Sequence, residues 1–166
     1  MQSDPRRASK YGRGAALLAV CLPLMAAGAT TVSANPVSAL SGSWGGSGRI
    51  TYNDGTTEGI NCNAYYSGSG NDLKMAIQCR SDRNPIHIRS QLRITGSRAS
   101  GNWEERTFNV SGSASGSASN NSMSLNVSGG GFSGTMSVKI GQSSHTVSVT
   151  TQGIAMRSAT MNFSKR

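Results

Sequence analysis

"SGSASGSAS", residues 111–119, places Ser at every odd position and Gly or Ala at every even one. Such a run is either a flexible tether or a strand with two small-residue faces, and the choice decides whether the chain folds as one unit or two. The residues that follow settle the reading. Asn120-Asn121 tolerate the positive φ of a tight hairpin loop, and "SMSLNVS" (122–128) alternates Met123, Leu125 and Val127 with Ser124 and Asn126. Pairing centred on that loop sets Ala118 against Met123, Gly116 against Leu125 and Ala114 against Val127, while Ser117 meets Ser124 and Ser115 meets Asn126. Small residues oppose large ones on one shared face, as in tight sheet cores. A tether has no reason to keep this parity, so residues 107–119 are expected to form a strand of a single domain.

The same arithmetic applies to "EGINCNAYYSGSGNDLKMAIQCRSD" (58–82). Ile60, Cys62, Ala64 and Tyr66 line one face, and Leu73, Met75, Ile77 and Cys79 another. A two-residue loop at Gly70-Asn71 brings Tyr66 beside Met75, Ala64 beside Ile77, Glu58 opposite Arg83, and Cys62 directly opposite Cys79. Counting outward from the loop, the two cysteines fall at a non-hydrogen-bonded site with Cα atoms about 4.5 Å apart. A structural disulfide is expected there. A redox or metal role is disfavoured, since there is no Cys-x-x-Cys and neither cysteine has a neighbouring His.

Turn signals and period-two alternation recur through the rest. "SWGGSGRITY" (43–52) leads into an odd-length loop at Asn53-Asp54-Gly55. "PIHIRSQLRIT" (85–95) alternates Ile86, Ile88, Leu92 and Ile94 with His87, Arg89, Gln91 and Arg93. "RASGNWEERTF" (98–108) carries Trp103. "FSGTMSVKI" (132–140) sets Met136, Val138 and Ile140 against Val147 and Val149, and "ATMNFSK" (159–165) closes with Met161 and Phe163. No segment after residue 34 shows helical periodicity. The expected fold is all-β: a single antiparallel up-and-down meander barrel of about 8–10 strands, with a β-sandwich as the alternative. Parity alone does not say which face points inward. An outer-membrane barrel is disfavoured because aromatics make up only 5% of the chain, too few for two interfacial girdles.

Ahead of this domain, Arg6, Arg7, Lys10 and Arg13 precede the apolar run "AALLAVCLPLMAAGA" (15–29) and the small-residue site "VSA" (32–34). This pattern predicts a signal peptide over 1–34 and a domain over 35–166, with a periplasmic or extracellular destination. The run is too short, and too interrupted by Pro23 and Gly28, for a transmembrane anchor. Removing it leaves Cys62 and Cys79 as an even pair in an oxidising compartment. It also leaves twelve Lys and Arg against six Asp and Glu.

"GSW" (42–44) and "GNW" (101–103) resemble the Gly-x-Trp opening of lipocalin and avidin-like barrels. That resemblance implies that Trp44 closes a barrel base and that the interior takes a small apolar ligand. The chain departs from lipocalins in having no C-terminal helical pattern, and from avidins in its internal disulfide. "SGSGRI", "CRS" and "GNWEERTFN" also resemble small secreted bacterial β proteins of unassigned function, a likeness that implies no activity.

Two functions of different class follow. In the first, an exported binding module holds an apolar ligand in an interior lined by Trp44, Trp103, Ala114, Gly116, Met123 and Met136. In the second, an envelope interaction or structural protein uses the basic outer face of Lys74, Arg80, Arg89 and Arg93 to contact an acidic partner or polyanionic glycan. Catalysis is not expected. Glu104 and Glu105, adjacent on a strand, point to opposite faces, and His87 and His145 are both expected at the surface. No cofactor or metal is expected, and nucleic acid is disfavoured because no aromatic is interleaved with the cations to stack bases.

Overall fold

The computed structural model describes residues 35–166; the segment read as a signal peptide lies outside the described residues. The chain there begins with a short helix, α1 (Pro36–Leu40). Ten strands follow: β1 (Gly42–Tyr52), β2 (Thr57–Ser69), β3 (Asp72–Ser81), β4 (Pro85–Thr95), β5 (Arg98–Glu105), β6 (Val110–Ala118), β7 (Ser122–Gly129), β8 (Phe132–Ile140), β9 (Ser144–Gln152) and β10 (Met156–Lys165). Each pairs antiparallel with its chain neighbours, and β1 pairs with β10 to close the sheet into an up-and-down barrel. Closure removes the sandwich alternative. It also removes both sheet edges, which would otherwise expose unpaired backbone groups.

Both hairpin registers hold. Ala118, Gly116 and Ala114 of β6 face Met123, Leu125 and Val127 of β7, so the Ser/Gly/Ala run is a wall strand. It starts later than expected, at Val110, because residues 106–109 form a turn in which Asn109 takes a φ of 54°. Around Gly70-Asn71, Cys62 faces Cys79 and the two are bonded, with Cα atoms 4.0 Å apart, the close approach of a non-hydrogen-bonded pair. At the far end of the same hairpin, Arg83 Nε lies 3.4 Å from Glu58 Oε2.

Burial settles which face points inward. Ile60, Cys62, Ala64 and Tyr66 are buried along β2 while Asn61, Asn63 and Tyr65 are exposed, and the same alternation runs through β4, β6 and β7. The apolar face is therefore the interior and the polar face the exterior, the reverse of a lipid-embedded barrel. No helix among the described residues is long and apolar enough to cross a membrane.

Helix α1 corrects the expectation that no helix follows residue 34. Five residues are too few for periodicity to show; the legible signal was Asn35-Pro36. The Asn35 side chain accepts a hydrogen bond from the Val37 N–H at 3.0 Å, and proline occupies the first turn, where its missing N–H costs nothing. Asn35 Nδ2 also donates to the Gly70 carbonyl at 2.9 Å, tying the helix to the β2–β3 turn. Val37 and Leu40 are buried, so α1 plugs one end of the barrel, packed against β2 and β8.

The glycine at the centre of β6 has a further reason to be small. A Cβ on Gly116 would run into the Ser124 carbonyl oxygen and come within 2.9 Å of the Leu125 Cα. The position is fixed by backbone approach as well as by the bulk of Leu125. Gly116→Val is expected to cost about 2–3 kcal/mol, and the neighbouring outward Ser117→Val less than about 0.5 kcal/mol, in urea unfolding. Replacing Cys62 and Cys79 together by Ala should remove about 3 kcal/mol, read as a fall in Tm of roughly 10 °C.

Candidate functional site

Barrel diameter grows with strand number, and about eight strands already leave an interior that side chains just fill. Ten strands leave more room, and the side chains fill it unevenly. At the α1 end, Trp44, Leu73, Leu92, Met123, Leu125 and Phe163 are all at most 2% exposed. At the other end Ile50 and Ile60 are also buried, but inward-facing Tyr52, Ile86, Ile88, Trp103, Val110, Phe132 and Met156 remain partly exposed. The barrel is thus sealed at its α1 base, while the opposite rim forms an apolar mouth only partly shielded from solvent.

The base is built around a histidine. His145, which follows the 141–143 turn into β9, was expected at the surface and is instead 2% exposed. Its register explains the placement: it pairs with Ile140 and Phe163, both inward. The imidazole stacks on Phe163, with ring centroids 4.6 Å apart and planes at 9°, and meets Trp44 edge to face at 4.5 Å. Its Nε2 lies 2.9 Å from the Tyr66 hydroxyl, while Nδ1 has no hydrogen-bond partner among the described residues. Burial pushes the His145 pKa down to about 4 and pushes the Tyr66 phenol up. Trp44 Nε1 donates to the Leu40 carbonyl at 2.7 Å, so α1, Trp44 and His145 form one plug. His87, the other histidine, lies on the outer face of β4 and is exposed, as expected.

The wall above the plug holds the remaining interior residues. Ala114 and Met123 are buried with Trp44, whereas Gly116 and Met136 are half-buried. Trp103 lies over Gly112, where an added Cβ would sit 2.7 Å from the indole Cζ2, and it leans on Phe132 at 5.3 Å. Its Nε1 donates to the Ser113 carbonyl at 3.1 Å. The six interior residues singled out by sequence are therefore divided between buried positions, Trp44, Ala114 and Met123, and half-buried ones, Trp103, Gly116 and Met136. Absent from that set were the mouth residues Ile86 and Ile88, whose alternation was visible but whose exposure was not, and Val110, Phe132 and Met156.

At the rim the carboxylates serve the structure. Glu105 is buried at the end of β5, where its Oε1 and Oε2 accept the backbone N–H groups of His87 and Phe108, each at 2.7 Å. Burial alone would raise its pKa; the backbone hydrogen bonds outweigh burial and hold the carboxyl below its ordinary value. Glu58 accepts from the Tyr52 hydroxyl and pairs with Arg83, whose guanidinium stands 4.2 Å above the Tyr52 ring. Phe108, on the turn that Glu105 organises, projects into solvent at 57% exposure. No group of three or more His, Cys, Asp or Glu among the described residues is arranged to hold a metal ion.

The cations singled out by sequence lie on the outer wall. Lys74, Arg80, Arg89 and Arg93 are all exposed on β3 and β4. Arg93 pairs with Asp72 at 3.0 Å; among the described residues, the other three form no ion pair.

Closed topology, inward apolar face and plugged base define the class: an all-β up-and-down barrel with a lipocalin/calycin-like fold. Solved structures share it. Rv2717c from M. tuberculosis superposes with a TM-score of 0.66 at 14% identity, covering 78% of this chain and 94% of that one. The S-type phycobiliprotein lyase CPES from Guillardia theta gives 0.59 at 8% identity, covering 78% and 90%. No protein-family model matches the sequence. No curated protein matches it either.

Burial of His145 gives the fold a pH dependence. Its folded pKa lies below the unfolded value of about 6.5, so the unfolded chain takes up the proton first as pH falls. Stability should decline between about pH 6.5 and pH 4, by up to about 1.4 kcal/mol per pH unit. Replacing both partners, Tyr66→Phe with His145→Phe, should flatten that slope in urea unfolding at stepped pH. The further loss at lower pH from Glu105 and Asp54, whose carboxyls are held below their ordinary values by hydrogen bonds, should remain.

Proposed function

We propose that this protein is a binding module whose interior takes a small apolar ligand through the mouth. The observation that carries the reading is the gradient of burial along the interior. Apolar side chains at the base are sealed, whereas on the β4–β6, β8 and β10 side of the mouth apolar side chains with the same inward parity keep contact with solvent. Leaving inward Ile86, Trp103 and Phe132 partly wet forfeits hydrophobic stabilisation that an apolar ligand would recover. The Tyr52, Glu58 and Arg83 cluster at the rim would meet the ligand's polar end.

Binding without catalysis is the reading the carboxylates support. Both oxygens of Glu105 are committed to backbone N–H groups, and Glu58 is committed to Tyr52 and Arg83. A similar barrel is found in the phycobiliprotein lyase from Guillardia theta, so the scaffold by itself does not separate binding from chemistry. We further propose that the protein is exported, residues 1–34 being removed as a signal peptide. The disulfide supports this, since such bonds persist in oxidising compartments.

Native mass spectrometry of the protein purified from its own host tests both proposals. An apolar molecule should copurify, and the protein mass should begin at Asn35. In a companion titration with 1-anilinonaphthalene-8-sulfonate, Val127→Trp and Met136→Trp should fill the recess and weaken dye binding at least about tenfold, while outward Ser124→Trp should not. An empty barrel whose dye binding is indifferent to these substitutions overturns the ligand reading, and retention of residues 1–34 overturns export.

A further inference from the structure

The exterior is divided by chemistry. Outward positions of β6 to β10 are mostly Ser, Thr and Asn, with Lys139, Gln152 and Arg157 as exceptions, whereas those of β3 to β5 carry Lys74, Arg80, Arg89, Arg93 and Arg98. Asp72 and Glu104 are the acids on that basic wall; Asp72 is taken by Arg93, and Glu104 lies 3.9 Å from Arg106. Arg89 and Lys74 remain unpaired among the described residues.

A groove of about 680 Å³ crosses this wall. Its floor follows from register: outward rows run Tyr65, Ala76, Arg89, Glu104, Ser111 and, beside it, Ser67, Lys74, Gln91, Asn102. Ala76 stands where its strand neighbours on the same face carry Lys74 and Gln78, so the row is hollow between Tyr65 and Arg89. Tyr65 is 56% exposed, one of two large hydrophobic residues on the surface of the described chain. Its ring meets solvent from the outer wall of a barrel whose other described tyrosines, Tyr52 and Tyr66, point inward.

We propose that this groove binds an acidic glycan. The Tyr65 ring supplies an apolar face against which the C–H face of a pyranose can pack. Gln91 and Asn102 carry paired donors and acceptors suited to vicinal hydroxyls, and Arg89 and Lys74 meet carboxylates with charge-assisted hydrogen bonds. Strands about 4.8 Å apart make the row from β2 to β6 about 19 Å long, the span of a short oligosaccharide. A protein partner fits less well, because stable interfaces need an apolar core depleted of charge, and this wall offers one aromatic among polar residues. Between the two outward rows the groove is also bordered by the inward-facing row Met75, Ser90, Trp103 and Gly112, but the proposal does not depend on whether the barrel interior is occupied.

Isothermal titration of the purified protein with oligogalacturonate, an uncharged malto-oligosaccharide of the same length, and polyphosphate tests the proposal. Oligogalacturonate should bind, weaken as salt rises, and outcompete the other two. Arg89→Gln and Tyr65→Ala should each lower its affinity at least about tenfold, as should Ala76→Gln, which fills the hollow and leaves every cation in place. Lys139→Gln, on the opposite wall, should change it less than about twofold. Thermal melts identify any variant that fails to fold, and three independent substitutions keep the groove testable if one does. Absence of oligogalacturonate binding overturns the proposal. So does polyphosphate binding equally well with Tyr65→Ala and Ala76→Gln without effect, because the wall would then be a simple cation surface.

Discussion

Pairing of β1 with β10 is the constraint on which everything else rests. Without it the meander would be an open ten-strand sheet with two unsatisfied edges and an apolar face turned to water. With it, the period-two alternation of every strand is converted into one interior and one exterior. The closing seam is itself accommodating: Gly46 and Gly48 of β1 lie against Phe163 and Met161 of β10, so large side chains on one strand take the space that the other leaves. A bulge where Thr51 and Tyr52 meet Ser158 and Met156 shifts the register at the mouth end, the place where barrels commonly use bulges to re-aim side chains.

Closure fixes the diameter, and diameter creates the functional question. The base solves the excess width with its largest side chains and a helix. Trp44, His145, Phe163 and Tyr66 interlock, and α1 caps them through the hydrogen bond from the Trp44 indole to Leu40. A histidine in this position is costly when protonated, and its single hydrogen bond goes to another buried polar group, Tyr66. The pair lets one end of a wide barrel be filled with flat rings that stack, at the price of acid sensitivity. The mouth has no comparable plug, and inward Ile86, Ile88, Trp103 and Phe132 are left partly wet.

Inner and outer surfaces are then free to specialise separately, because adjacent residues on a strand face opposite sides of a thin wall. Met75 faces inward while Lys74 and Ala76 face outward, and Trp103 faces inward while Asn102 and Glu104 face outward, although Met75 and Trp103 also border the groove between the two outward rows. A sheet one residue thick can carry an apolar recess and a polar, basic groove at the same height without either compromising the other.

Much of this was legible in one dimension, and the reason is the short range of the signals. The Cys62–Cys79 bond, the Glu58–Arg83 pair and the small-against-large packing of β6 on β7 all belong to hairpins, where a tight turn fixes register and register fixes neighbours. His145 was misplaced because its surroundings are not local. Phe163, Trp44 and Tyr66 reach it from β10, β1 and β2, and β1 and β2 join it only once the barrel has closed. Helix α1 was too short to announce itself by period, although Asn35-Pro36 marked its start. The groove floored by Ala76 needed five strands laid side by side before a single alanine became a hollow. Sequence by itself determined strand parity, the tight hairpin turns at Gly70-Asn71 and Asn120-Asn121, their strand partners and the disulfide, since each follows from side chains alternating about a turn. Only the tertiary structure decided which face was the interior, which end was sealed and which histidine was buried, because those depend on how the first strand meets the last.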